Sequence, residues 1–213
     1  MRKVALITDG WRRLFTYAWP AGILQRIRET GEDVNLYIFN STGNWSRDAG
    51  YNRAEYNIYN LPELSDFDGI ILELNNISSP AVLADVISNA KRSGRPVVSI
   101  ANELGDFYYV GIDNYSAMKQ VIAHLHEVHD CKKFWLLVGA QDNYESSCRL
   151  QGMLDYAKEH KIKIDKDDIW YGSFDYKSGL EGYKHLWDRH KELPDAVICI
   201  NDNVAGGGGG RGY

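Results

Sequence analysis

The stretch "AVICINDNVAGGGGGRGY", residues 196–213, decides how the chain is read. Ala196 to Ile200 is a short apolar run of strand length, and Asn201-Asp202-Asn203 is a polar turn. In open parallel α/β sheets, ligands bind beyond the carboxyl ends of strands, which is where these carboxamides and this carboxylate fall. A helix should follow, but five glycines come instead. Glycine costs about 1 kcal/mol per helical position relative to alanine, so the run is not expected to hold a helix. A phosphate-cradling glycine loop would need a following Lys-Ser/Thr and a helix start, and neither follows. Residues 206–213 therefore read as a glycine-rich tail, a linker or an artefact.

Outward from this end, the same alternation of apolar run, polar turn and helical period fills the chain. Lys3–Thr8, Val34–Phe39, Asp68–Leu74 and Pro96–Ile100 read as strands, and Phe15–Glu29 as a helix. A second helix opens at Ser79-Pro80, with serine as N-cap and proline in the first turn. A second series follows. Helices are expected at Tyr115–Val128, Ser147–His160 and Lys177–Lys191, and strands at Phe134–Val138, Ile169–Gly172 and Ala196–Ile200. Near-continuous apolar strands separated by helices imply parallel sheets covered on both faces. The fold class is α/β, with two doubly wound lobes. Tyr108–Asp113 is extended and lies between the series, so the lobes are set at 1–109 and 110–205. The irregular stretch from Asn40 to Leu64 is long for a βα loop and rich in aromatics, and a short helix is expected within it.

Bulk properties narrow the function classes. The 213 residues are 44% hydrophobic, enough for a sizeable core. The net charge of −5 and the lack of a long basic run do not favour nonspecific nucleic-acid binding. No apolar run approaches the ~20 residues of a membrane span, and Val4–Ile7 is too short for a signal peptide. The chain reads as cytoplasmic, with no membrane partner. Three widely spaced cysteines fit a reducing compartment without disulfides. The sequons at Asn40, Asn44, Asn76 and Asn114 then read as chance matches.

The strand ends collect the candidate site. After the first strand come Asp9, Trp11, Arg12, Phe15 and Tyr17. Asn75 follows the third, and Asn102 and Glu103 follow the fourth. In the second series, Gln141-Asp142-Asn143 lies near Arg149, Phe174 follows the next strand, and Asn201 and Asp202 follow the last. Aromatic planes stack on the apolar face of a sugar or base, while amide, carboxylate and guanidinium groups pair with its hydroxyls or ring atoms. For any single asparagine, turn formation is an adequate explanation. For the whole set, a cleft binding a small polar ligand accounts for more.

Other clusters argue against chemistry. His124, His126 and His129 form H-x-H-x-x-H, which lacks the i,i+4 spacing of a helical metal pair, so no metal site is assigned. Cys148 beside Arg149 has no sequence-local base, so it reads as a plain helix cysteine. Asp9, Glu73 and Asp202 read as binding carboxylates. No catalytic residue and no cofactor are assigned.

Four segments resemble the ligand-binding core of the lactose- and galactose-repressor family. "VGIDNYSAMKQVIAHL" (110–125) is similar to its first crossover, V-x-x-D-N before a helix ending in H-L. "SCRLQGMLDYAKEHKI" (147–162) resembles its R-L-x-G-F-x-x-A-L helix. "GSFDYKSGLEGY" (172–183) resembles its G-x-F-x-x-x-S-G-Y segment, and "DAVICINDNVA" (195–205) its N-D strand and turn. The resemblance covers 1–205 in order. It implies a type I periplasmic-binding-protein fold, two lobes joined by three crossovers and a ligand in the cleft. It places the effector-binding arginine on Arg149, the stacking aromatic on Phe174, and the N-D turn on Asn201 and Asp202. Trp11, Arg12, Phe15 or Tyr17, and Asn102 or Glu103, would complete the site.

Three departures stand out: no helix-turn-helix segment in 1–30, an unusually aromatic 41–64, and the glycine end. The resemblance implies a non-catalytic sugar or sugar-like sensor of a bacterial regulator, homodimeric, with no direct DNA binding by this chain. The ligand is a sugar, a sugar derivative or a nucleobase-like compound. The alternatives are a sensor fused to a downstream diguanylate-cyclase-type output, or a transporter's solute-binding protein.

Overall fold

The computed structural model describes residues 1–10, 14–41, 48–75, 77 and 79–209. The chain divides into two compact units, Met1–Ile112 and Asp113–Tyr213.

In the first unit, β1 (Arg2–Asp9), β2 (Val34–Ser41), β3 (Gly69–Glu73), β4 (Val97–Ile100) and β5 (Tyr108–Val110) form one parallel sheet, ordered β2-β1-β3-β4-β5. The central strand β1 is buried from Ala5 to Asp9, as a strand covered on both faces must be, whereas edge strand β2 is largely exposed or half-buried until Ser41. Among the described residues of this unit are the helices α1 (Leu14–Thr30), α2 (Ala49–Glu55) and α3 (Pro80–Arg92). Ser79 caps α3, its side chain accepting from the Val82 amide, with proline in the first turn, as the sequence indicates. The extended stretch read as a lobe connector contains β5, whose three residues complete the first sheet beside β4.

The aromatic stretch carries α2 and two short 3₁₀ turns at Tyr56–Asn60 and Leu64–Asp66. Two of its tyrosines serve the interior, while Tyr51 is exposed. Tyr56 and Tyr59 are buried with Leu64, Phe67, Ile70, Leu72 and Val86 in the core of the first unit.

In the second unit, β6 (Phe134–Val138), β7 (Ile169–Tyr171) and β8 (Ala196–Cys199) form a parallel sheet ordered β7-β6-β8. The central strand β6 is buried along its whole length. Around it pack α4 (Asn114–His129), α5 (Tyr144–Glu159), α6 (Tyr176–His190) and α7 (Asp202–Gly209). Gly152 lets α5 lie against α4, since a Cβ there would fall 2.3 Å from the Tyr115 carbonyl oxygen.

The glycine run corrects the expectation drawn from propensity. Residues 202–209 are helical, glycines included. Tertiary contact overrides intrinsic preference. A Cβ on Gly207 would meet the Tyr176 carbonyl oxygen at 1.9 Å, and one on Gly179 of α6 would meet the Val204 carbonyl oxygen at 2.1 Å. The two helices touch backbone to backbone, which only glycine permits.

Candidate functional site

In the first unit, the strand ends are held from below. Asp9, the last residue of β1, is fully buried, and its Oδ1 accepts a hydrogen bond from the hydroxyl of Ser41, its register partner on β2. Tyr59 donates to the Thr8 carbonyl at 2.9 Å, and its hydroxyl lies 3.1 Å from Ser41 Oγ. Burial and the nearby Asp9 charge push the Tyr59 phenol far above its usual range, so it remains a hydroxyl. Thr8 Oγ1 donates to buried Glu73 on the neighbouring strand β3 at 2.9 Å.

Asn75, just beyond β3, is half-buried and donates through Nδ2 to the Ala101 carbonyl at 3.5 Å. Ala101 takes a left-handed conformation at φ 62°, and Ser99 Oγ donates to the Asn102 carbonyl at 2.5 Å. That bond pins the tight turn that presents Asn102, half-buried, and Glu103, exposed. Asp9, Asn75 and Asn102 thus end the adjacent strands β1, β3 and β4. Tyr17 lies exposed on α1. Trp11, Arg12 and the side chain of Phe15 lie outside the described residues.

The second unit draws its candidates into one network. Arg149, on α5, donates from Nη1 to the Ile200 carbonyl at 2.8 Å and from Nε to Asn114 Oδ1 at 2.7 Å. Asn114, at the start of α4, is buried and donates in turn to Glu145 Oε1 at 3.3 Å. The neighbouring Asn201 donates to the Phe174 carbonyl at 3.0 Å, while its Oδ1 caps α7 by accepting from the Val204 amide at 2.9 Å. The Phe174 ring lies over Gly139, where a Cβ would fall 2.4 Å from Cζ. The Gly139 amide donates to buried Ser146 Oγ at 3.1 Å. Asp202 opens α7 and is exposed.

Arg149, Phe174, Asn201 and Asp202 therefore gather at the carboxyl ends of β6, β7 and β8. They present a guanidinium, an aromatic ring, an amide and a carboxylate. This set can pair with hydroxyls and stack on a ring face. Sequence reasoning passed over Asn114, Glu145, Ser41 and Tyr59. Asn114 stands inside the quoted V-x-x-D-N segment, and that was the one available signal for it. Among the described residues, no group of three or more His, Cys, Asp or Glu side chains is placed to hold a metal ion. None of the described helices is long and apolar enough to cross a membrane.

Each of the two units is thus a parallel α/β sheet with polar residues at its strand ends. The profile of the family described as "Periplasmic binding proteins and sugar binding domain of LacI family" matches residues 52–210. The chain belongs to this family. It is similar to catabolite control protein A of Staphylococcus epidermidis, at 30% identity over 153 residues, covering 71% of this chain and 44% of that protein. The chain thus spans under half the length of this curated relative.

Among solved structures, a putative LacI transcriptional regulator from Bacillus cereus subsp. cytotoxis superposes with a TM-score of 0.75. The identity is 21%, and the match covers 99% of this chain and 72% of that one. A sugar-binding transcriptional regulator of the LacI family from Escherichia coli, complexed with phosphate, gives a TM-score of 0.73 at 19% identity. It covers 98% of this chain and 71% of that one. These likenesses identify the type I periplasmic-binding-protein fold.

Proposed function

We propose that the chain is the effector-binding core of a sugar-responsive transcriptional regulator, a non-catalytic sensor acting in the cytoplasm as a homodimer. The observation that carries this reading is the lobe-two arrangement at the ends of three strands, in which Arg149 donates to the Ile200 carbonyl and to Asn114, and Asn201 donates to the Phe174 carbonyl. Family membership and the names of the relatives support it. Arg149 pairs with ligand hydroxyls, Phe174 stacks on the ring, and Asn201 and Asp202 read the remaining polar edge. Asp9, Asn75, Asn102, Glu103 and the residues Trp11, Arg12, Phe15 and Tyr17 are the candidate contributors from lobe one. A ligand that binds one arrangement of the lobes better than another shifts the population, and a dimer surface transmits the shift.

The test is a thermal-shift screen against sugars, sugar phosphates, nucleosides and amino acids. A ligand present at a hundred times its Kd adds about 2.7 kcal/mol of stability. Stabilisation by one sugar class, abolished in Arg149→Ala and in Phe174→Ala, supports the sensor. Stabilisation that survives both substitutions overturns the assignment of the site. A well-folded chain that binds nothing in the screen overturns the sensor reading itself.

A further inference from the structure

We propose that His124 and His129 form a bidentate site for a divalent transition metal of the zinc, nickel or copper type, apart from the strand-end site. In an ideal helix, residues five apart lie about 140° apart around the axis at 3.6 residues per turn, so spacing alone does not pair them. The structure does. His124 Nε2 and His129 Nε2 are 3.2 Å apart, with the rings edge to face at a centroid distance of 4.9 Å. Both residues are exposed at the last turns of α4, and Asp130 ends the helix in a left-handed conformation at φ 54°. His126 takes the other side, with Nδ1 3.1 Å from the Tyr156 hydroxyl.

The separation of the two nitrogens is the decisive quantity. Two imidazoles at ~2.0–2.1 Å from one ion, with an angle of roughly 100° between them, hold their nitrogens about 3.2 Å apart. That angle lies between the tetrahedral and octahedral cis values. At 3.2 Å one Nε2–H can donate to the other Nε2 in the metal-free pair, whichever ring carries the proton. The ion takes the place of this shared proton, and the ring that carried it is protonated at Nδ1 instead, through solvent. Imidazole nitrogen suits zinc, copper and nickel, and the negative end of the α4 dipole favours a cation there. The two carboxylates nearest in sequence have partners of their own: Asp130 pairs with Lys132 at 3.1 Å, and Glu127 accepts from Tyr156 at 2.9 Å. Water therefore completes the coordination.

The test is a titration of the 213-residue chain with zinc and with nickel chloride, followed by calorimetry and by imidazole nitrogen resonances. The expected result is one ion per chain, with resonances of both rings shifting together. His124→Gln and His129→Gln should each weaken binding by about a hundredfold, the gain that linking two contacts supplies. His185→Gln should leave it unchanged. Binding that survives the double His124/His129 substitution, or no uptake up to millimolar metal, overturns the site. One ion per two chains also overturns it, because a bridge between copies would then complete the coordination in place of water. Circular dichroism of each variant separates loss of a ligand from loss of the fold.

Discussion

Arg149 and Asn114, 35 residues apart in the chain, share a 2.7 Å hydrogen bond from Nε to Oδ1. Asn114 begins α4 directly after the boundary between the two units, and Arg149 is the leading candidate for ligand contact. The bond therefore ties this candidate to the first residue of α4 in the second unit. Removing a buried partner leaves polar groups unpaired at a cost of about 1–3 kcal/mol, so Asn114→Ala should destabilise the chain by that amount in urea. Paired with Arg149→Ala in a double-mutant cycle, it should show a coupling of about 0.5–3 kcal/mol. Strict additivity of the two substitutions would show that the contact is energetically idle.

Two glycine substitutions should move stability in opposite directions. Gly152→Ala forces a methyl to 2.3 Å from the Tyr115 carbonyl, and relieving that clash costs about 1–3 kcal/mol. Gly22 in α1 has nothing within 4 Å of its Cβ position, so Gly22→Ala should gain roughly 0.5–1 kcal/mol. Thermal melts of the two variants against the parent decide both. A Gly152→Ala variant as stable as the parent would contradict the tight α4–α5 packing.

Alkali should weaken the fold through its tyrosines. Burial, with the hydrogen bond to Glu127 next, pushes the Tyr156 phenol from 10.0 up to about 12, and burial pushes Tyr59 higher still. Both groups remain protonated in the folded chain at a pH where the unfolded chain has already ionised. Their stabilisation is complete below pH 10 and is lost as pH rises through the raised values. Phenolate absorbance should therefore lag in the folded state, and Tyr156→Phe should flatten the alkaline loss of stability. Ionisation of all tyrosines near pH 10 in a still-folded chain would refute this.

Acid should act through Asp195. Its Oδ2 accepts from the backbone amides of Lys132 and Lys133 at 2.7 and 2.8 Å, which clamps the start of β6 to the start of β8. These amide bonds hold the carboxyl below its usual 3.8. Its contribution is present above that value and is lost as pH falls through the lowered one. Stability measured across the acid range should fall more steeply in the parent than in Asp195→Asn. Parallel curves would remove Asp195 from the acid response.

The legible parts of the chain are those where one physical signal dominates. Phe134–Val138 reads as a buried strand because it is apolar throughout and bounded by Lys133 and Gly139, and β6 has those bounds. Ser79-Pro80 announces a helix start by its own chemistry. The start of α5 is less legible. It begins at Tyr144, because the Asn143 side chain accepts from the Ser146 amide at 2.9 Å, ahead of the periodic residues that suggested Ser147. Three residues at Tyr108–Val110 are too few to show a period, and the strand exists because β4 pairs with it.

At the site, turn chemistry and ligand chemistry use the same residue types, so single strand-end residues could be named but their partners could not. Asn114 and Arg149 meet only once α4 and α5 have packed. The His124–His129 pair lies outside any spacing rule for the same reason, since ring orientation is set after the helix ends.

The backbone contact of α7 with α6 has a consequence for how the end of the chain responds to stress. Val204 anchors the first turn of α7 in the core, but the glycines after it bring no side-chain grip of their own, so their order depends on the surface they lie against. Any loosening of α6, even one too small to unfold the second unit, should first appear as faster amide exchange at residues 205–209. That segment would then act as a reporter on the integrity of α6, frayed or protected according to the state of the neighbouring helix.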